Sequence, residues 1–513
     1  MGTEGRALDV GSAERITCKL RSRGRSQLEL KLHFPLRPVS RQVFQTDVYV
    51  FAPDKLDLTA ESYGVRRALA EIVLLLRHSS PRIPLEDMLR GDVELSPLNR
   101  LAAMAEGGGL FGDRTDLVHE LKTLVNGYRA ESRSSVSAVR RAILGDPASC
   151  VAAVGRAVDL LVALPAAARA LRDRIEQAQV PAPAARAVEW ADEGLSAILA
   201  GSLFRLLDGL RGRRALRAET ARVRTALEAE TAYRRRRGMH LEPRAGRSAA
   251  DQKHNEGVLL RIRALKRWSQ SALYLGKRVL RENARVGQIA AGTAAALAMT
   301  VAIVAASFAQ EHFAAYSLPW AFIIVLSYIL KDRIKEVART VIGAMIPRLL
   351  SDRSHALVDS SGLVAGRTRE TVGFLKPERT PAEVQELRAR APAAVTELPE
   401  DQATGESVIY YRNWMRTRSS VLLANHQRLE RLTALVRFGV EGWLEEMDEA
   451  YSVLRSMEDN REVRGVARRV YHVHIVTRVR EEGAGSPHRL FLYRVALSRE
   501  GIVRAERLDP SPP

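Results

Sequence analysis

Cysteine is almost missing from this chain: Cys18 and Cys150 are the only two among 513 residues, and they stand far apart. That spacing excludes a disulfide framework or a thiolate metal site, and two lone thiols suit a reducing cytoplasm. Residues 1–13 are polar and lack the apolar core of a cleaved signal peptide. Lysine is scarce, ten of the 79 basic residues, in keeping with the arginine and alanine bias of a GC-rich bacterial genome. The most informative absence lies in the middle. Residues 286–330 run for 45 positions without a lysine or arginine, and Glu311 is their only acidic residue.

That window predicts two transmembrane helices, residues 288–309 and 313–330, joined by an external turn at 310–312 (Gln310, Glu311, His312). Their lengths correspond to roughly 33 and 27 Å of helix. Pro319 falls in the first turns of the second span, where a missing N–H does least harm. Tyr316, Trp320 and Tyr328 stand near the span ends, as interfacial aromatics do. Arg263, Lys266, Arg267, Lys277, Arg278, Arg281 and Arg285 precede the hairpin, and Lys331, Arg333, Lys335 and Arg339 follow it. Positive charge stays inside, so both termini are expected in the cytoplasm and the turn outside, in a bacterial inner membrane.

Neither span core contains Asp, Glu, Lys, Arg or His, the residues that mark ion and proton pathways. Ala294, Ala298, Ala302 and Ala306 form a ridge at spacing four with Gly292 beside it. Small residues at that spacing let helices approach closely, either within the hairpin or in a homo-oligomer. The alternative is a buried helical pair inside a soluble protein.

The net charge of +19 invites a nucleic-acid reading, but no recognised nucleic-acid motif accompanies it. Anionic lipid at the basic flanks is the better use, at about 1 kcal/mol per residue near the surface. The expected partners are therefore the lipid bilayer and an unidentified protein.

Periodicity divides the rest. Residues 1–58 alternate at period two (Ile16, Cys18, Leu20; Leu28, Leu30, Leu32, Phe34) and predict an N-terminal β meander. Residues 59–237 predict a cytoplasmic helical region, in which Leu195, Leu199, Leu203, Leu206 and Leu210 share a face. A linker over 238–257 leads to a basic juxtamembrane helix over 258–287, with Leu259, Ile262, Leu265 and Trp268 on its apolar side. After the hairpin come an amphipathic helical extension (331–375), a proline-rich flexible linker (376–407) and a helical block (408–465). A C-terminal β meander over 466–513 alternates again at Tyr471, Val473, Ile475 and Phe491, Tyr493, Val495. The fold class expected is an α+β membrane protein: a two-helix hairpin, a mostly helical cytoplasmic domain and small antiparallel meanders at both termini. The two meanders are expected to associate.

No motif names a reaction. Residues 107–112 (Gly107-Gly108-Gly109-Leu110-Phe111-Gly112) lack the Lys-Ser/Thr of a phosphate-binding loop, and no HExxH, paired CxxC or GxSxG is present. His472 and His474 share one strand face and are the candidate metal ligands; His488 enters the facing strand, where it either approaches them or sits in solvent, and with no third ligand evident no cofactor is expected. Glu445, Glu446, Asp448 and Glu449 read as a solvated face or as partners of Arg468 and Arg469.

Short segments carry a resemblance: Tyr328-Ile329-Leu330-Lys331-Asp332-Arg333-Ile334-Lys335-Glu336, Arg437-Phe438-Gly439-Val440 with Met447-Asp448, and Tyr471-His472-Val473-His474. Asp47-Val48-Tyr49-Val50-Phe51 and Ser498-Arg499-Glu500-Gly501-Ile502 belong with them. The chain resembles an uncharacterised group of bacterial two-pass membrane proteins. The resemblance implies an architecture and transfers no catalytic residue. The functional expectation is a membrane-anchored, partner-binding or sensing module. The alternatives are a tethered enzyme around His472 and His474, or an oligomeric channel or transport accessory.

Overall fold

Alternate apolar residues build the first strands, β1 (Thr17–Ser22), β2 (Gln27–Pro35) and β3 (Gln42–Pro53). After helix α1 (Gly64–Glu71) comes β4 (Ile72–His78). A bundle follows: α2 (Leu85–Leu89), α3 (Pro97–Glu106), α4 (Arg114–Ala142), α5 (Pro147–Gln177), α6 (Ala182–Leu210), α7 (Arg217–Arg236) and α8 (Ala249–Gln270). The chain returns at β5 (Gly276–Val279), leaves as α9 (Glu282–His312) and α10 (Leu318–Leu349), and returns at β6 (Arg353–Val358) and β7 (Val364–Leu375). Next are α11 (Ala382–Ala389), β8 (Glu406–Thr417), α12 (Ser419–Asn425), β9 (Arg431–Gly439) and α13 (Glu441–Glu445). An exposed ribbon, β10 (Tyr451–Glu458) with β11 (Arg461–Arg468), precedes β12 (Tyr471–Glu481), β13 (Arg489–Ser498) and β14 (Gly501–Leu508). The computed structural model describes residues 16–37, 39–79, 83–106, 114–144, 147–177, 181–280, 282–314, 317–349, 351–360, 362–391, 405–425, 431–458, 461–483 and 488–508.

Two antiparallel sheets lie face to face, one of eight strands in the order β14-β13-β12-β3-β8-β7-β6-β5 and one of four in the order β1-β2-β9-β4. Between them Leu28, Leu30 and Leu32 of β2, Leu74 of β4 and Val436 of β9 meet Val48 and Val50 of β3, Tyr411 of β8 and Ile475 of β12 in one core. This is sandwich packing. The other face of β3 is covered too: Tyr49 and Phe51 lie under Val384 and Leu387 of α11.

Both edges of the sandwich are tied. The Leu275 N–H donates to the Leu76 carbonyl (2.9 Å), so the segment entering β5 runs beside β4. At the far edge the Ile502 N–H donates to the Arg25 carbonyl (2.7 Å). Gly501 makes that second tie possible, since its φ is +132° and a Cβ there would stand 2.5 Å from the Arg25 oxygen. Tied edges leave fewer free backbone groups for pairing with another chain.

These ties give the chain its organisation. The bundle departs from β4 and comes back beside it, so it is an insertion in the sandwich. The helical pair α9–α10 is a second insertion, between β5 and β6, which pair antiparallel with Gly276 opposite Val358 and Val279 opposite His355.

Several sequence expectations need correction. Within the helical region expected over 59–237, only α1 is helical before residue 79; Ile72, Leu74 and Leu76 face the core as β4 instead. The same region breaks between α6 and α7 at Gly212, whose φ is +81°. Half of the 238–257 linker is the start of α8, capped by the Ser248 hydroxyl accepting from the Asp251 N–H (3.1 Å). The basic juxtamembrane helix over 258–287 ends at Gln270. There Leu265 is buried and Trp268 stacks edge-on against Trp190 of α6, so these two residues of its apolar side serve the bundle while Leu259 and Ile262 stay exposed.

The helical extension over 331–375 stops at Leu349 and gives way to β6 and β7. The flexible linker over 376–407 contains α11, whose Val384 and Leu387 cover the large sheet; residues 392–404 lie outside the described ones. The helical block over 408–465 is mostly strand. Ile409, Tyr411 and Met415 point into the sandwich while Tyr410, Arg412 and Trp414 alternate outward, a period-two pattern. The N-terminal meander over 1–58 is divided between sheets, with β1 and β2 in the small one and β3 in the large one beside β12, His474 opposite Phe51. The strands of the C-terminal meander are consecutive neighbours.

Candidate membrane hairpin and the polar clusters of the body

The hairpin is built from small residues inside and large apolar ones outside. Helices α9 and α10 pack along each other. Of the five predicted packing residues, Ala294 and Ala298 are buried, Ala302 and Ala306 are half-buried, and Gly292 is exposed. Ala309 and, on α10, Ser327 are buried as well. Leu297, Met299, Ile303, Val304 and Phe308 of α9, with Phe322, Val325, Leu326 and Ile329 of α10, are each at least half exposed. Proteins in water rarely leave so continuous an apolar surface uncovered.

Among the described residues, two helical stretches are long and apolar enough to cross a membrane, Ser149–Gln177 and Ala291–His312, both of mean hydropathy 1.8. Burial separates them, at 39% for the first and 11% for the second. The first belongs to α5, whose Val154, Leu161 and Leu164 sit in the bundle core. The second is α9.

The turn between the two helices lies later than the sequence reading put it. Gln310, Glu311 and His312 are the last turn of α9, where the His312 ring stacks on Phe308 with centroids 4.2 Å apart. The second helix opens at Leu318 rather than Phe313 because Ser317 caps it. The Ser317 carbonyl accepts from the Ala321 N–H (3.0 Å), and its hydroxyl lies 3.4 Å from the Trp320 nitrogen. Pro319 follows in the first turn. Thirteen residues then separate the start of α10 from Lys331, about 20 Å of helix, and the Lys331 ammonium lies over the Tyr328 ring at 3.9 Å. Tyr316 and residues 107–112 lie outside the described residues.

His472 and His474 do share a face of β12. His474 is 4% exposed and both its ring nitrogens are buried without a partner. Burial, then Arg388, Arg494 and His472, push His474 down to about 3, and burial with Arg494 lowers His472 too. These are neutral imidazoles in a basic setting. His488 does not join them. The register sets His472 opposite Ala496 and Val479 opposite Arg489, which leaves His488 about eight residues, or roughly 26 Å, along the sheet. Among the described residues no group of three or more His, Cys, Asp or Glu side chains comes together. The acidic run begins at the last residue of the short helix α13 and continues beyond it. There Glu445 pairs with Arg67 (2.7 Å) and Asp448 accepts from the Tyr471 hydroxyl (2.8 Å) with Arg469 3.8 Å away, whereas Arg468 turns to Glu500 (3.2 Å).

Sequence reasoning missed two buried ionic clusters. Asp47, 1% exposed on β3, accepts from Arg412 of β8 (2.8 Å), Arg478 of β12 (2.7 Å), the Tyr410 hydroxyl (3.0 Å) and Gln45 (2.9 Å). Arg478 also donates to Glu383 (2.7 Å), which fastens α11 to the sheet. The signal was available: an aspartate inside a Val-Tyr-Val strand must find donors if it is buried. In the bundle, Arg169 of α5 bridges Asp192 of α6 (3.1 Å) and Glu230 of α7 (2.8 Å), Arg172 reaches Asp192 (2.9 Å), and Arg234 donates to the Ser196 hydroxyl (2.8 Å). Each charge there has a partner, which marks these clusters as internal fastenings of the fold. The chain matches no family model, no curated protein and no solved structure.

Proposed function

We propose that the protein is a two-pass inner-membrane protein whose α+β body stands on the cytoplasmic side as a non-catalytic module that binds a partner or senses a ligand. One observation carries the membrane part: the outward apolar surface of α9 and α10 has no protein covering it and needs an apolar solvent. Because β5 and β6 are ladder neighbours, both ends of the hairpin leave the body together, and both carry basic flanks, in accord with a cytoplasmic body. The short apolar stretch of α10 suits a thin bilayer or a snorkelling Lys331. The resemblance to two-pass bacterial membrane proteins points the same way. A binding role is favoured over an active site at His472 and His474 because His474 is shut away beneath α11.

Alkaline carbonate washing of membranes tests the reading. The full chain should remain in the pellet and leave it only with detergent; recovery in the wash removes the proposal. A periplasm-dependent reporter inserted at 313–317 should be active and one fused after residue 508 inactive, and the reverse pattern would invert the topology.

A further inference from the structure

The bundle contains a second arginine cluster, and this one has no counter-charge. Arg129 and Arg133, one turn apart on α4, and Arg205 on α6 line a cavity of about 170 Å³ closed on its third side by Ile262 and Leu265 of α8. Arg129 is half-buried, while Arg133 and Arg205 stand at the exposed mouth. Inside, the Ser202 side chain is 0% exposed and its hydroxyl has no hydrogen-bond partner; the Nε of Arg129 is likewise buried and unmatched. Arg205 donates only to the Gly201 carbonyl, at 2.8 Å. No carboxylate is paired with any of the three among the described residues.

The energetics point the same way. Burial, then Arg133 and Arg205, push the Arg129 guanidinium down to about 10; burial, then Arg133 and Arg140, lower Arg205. Lys266 of α8 is lowered by burial, then by Arg129 and Arg133, with Arg77 and Arg23 of the sandwich adding to it. The contrast with Arg169 and Arg172 of α5 and Arg234 of α7, in the same bundle, is informative, since those are matched by Asp192 and Glu230. This fold does neutralise buried arginines when they serve packing. Here it gathers like charges around a space and leaves the Arg129 Nε and the Ser202 hydroxyl without partners among the described residues, at a cost that an anion would relieve.

We propose that the cavity between α4, α6 and α8 is a binding site for a phosphate or phosphomonoester group, taken by Arg129, Arg133 and Arg205 with the Ser202 hydroxyl. A tetrahedral dianion offers enough oxygens for three guanidiniums and a hydroxyl, and arginine forks match phosphate oxygens in pairs. The volume far exceeds the roughly 10–15 Å³ that one water requires, which leaves room for the ester carbon against Ile262 and Leu265. The phosphomonoester can be a free solute or the headgroup of an acidic lipid. The inference rests on the bundle and stands apart from the membrane reading.

The test uses the full chain in detergent, titrated at constant ionic strength with inorganic phosphate and with glycerol 3-phosphate, and separately reconstituted in phosphatidylcholine vesicles with or without phosphatidic acid. Saturable binding of the soluble phosphates, absent with chloride, is expected. Arg129→Gln and Arg205→Gln should each weaken it about tenfold or more. Ser202→Ala should weaken it less, and Arg222→Gln, which removes an exposed arginine of α7 paired with Asp159 of α5, should leave it unchanged. A rise in unfolding temperature with phosphatidic acid alone, lost in Arg129→Gln and kept in Arg222→Gln, would assign the site to a lipid headgroup. Arg129→Gln in the absence of ligand should unfold no earlier than wild type, because it relieves repulsion. The proposal is overturned if no phosphate compound binds in either arm, or if Arg129→Gln and Arg222→Gln respond alike.

Discussion

Asp47 shows what a single buried charge contributes. Burial pushes its carboxyl up, but hydrogen bonds from Arg412 and Arg478 outweigh burial and hold it below the ordinary carboxylate value. Asp47→Ala should cost about 3 kcal/mol in urea unfolding, toward the lower end for a broken buried pair because Arg412 is half exposed. A lowered folded pKa means that this stability is complete above the unfolded value, about pH 4, and is lost as pH falls through the folded one. The gap between wild type and Asp47→Asn should therefore be constant above pH 5 and close below about pH 4. His474 works in a different window. Pushed down to about 3, it stays neutral in the fold while the unfolded chain takes up a proton below about pH 6.5. Stability should fall from there toward pH 3 by about 1.4 kcal/mol per pH unit for this one group. His474→Leu should flatten that slope and change stability at pH 7 by less than about 1 kcal/mol, since it removes two buried ring nitrogens that have no partner. An undiminished acid slope in the variant would assign the titration elsewhere.

At the scale of elements, the hairpin separates residues that look alike in sequence. Ala298 is buried against α10, whereas Ile303 faces outward. Ala298→Leu should force the helices apart and cost about 1–3 kcal/mol, read as an earlier thermal unfolding in detergent. Ile303→Ala should leave the unfolding temperature within error, and equal effects of the two would mean that the face is wrongly assigned. The apolar window of α9 was legible in the sequence because an uncharged run of that length shows residue by residue. The start of α10 was not, because Ser317 and Pro319 were read as span and not as a cap. The same difficulty explains β8. Its alternation of Ile409, Tyr411 and Met415 was plain, but a cluster of arginines and aromatics on the outward positions suits a helix surface equally well until the neighbouring strands β3 and β7 are known. Among the pocket residues, Arg129 and Arg133 carry no sequence signal beyond spacing four, which exposed helix faces show everywhere.

At the scale of the molecule, the sandwich is assembled from three separated stretches with the bundle and the hairpin as insertions. Since Val279 pairs with His355 and the Leu280 N–H donates to the Ser354 carbonyl, a short Asn-Gly turn can close the ladder in place of residues 281–353. A chain shortened in that way should stay in the supernatant after high-speed centrifugation and unfold cooperatively with its strand content intact by circular dichroism. Loss of cooperative unfolding would mean that the hairpin belongs to the body's core.

Local pattern alone determined that residues 286–330 are apolar and almost free of charge, that the terminal regions form strands, and that the leucines of α6 face a core. Those properties depend on residues a few positions apart, which a sequence displays directly. Tertiary structure decided which strand pairs with which, with Leu28 meeting Phe438 and Asp47 meeting Arg478, and which arginines find carboxylates and which do not. Such matches join positions more than 400 residues apart. They exist only because folding brings the two sheets and the inserted helices together, and hydrogen bonds and charges act at the distances between side chains in space.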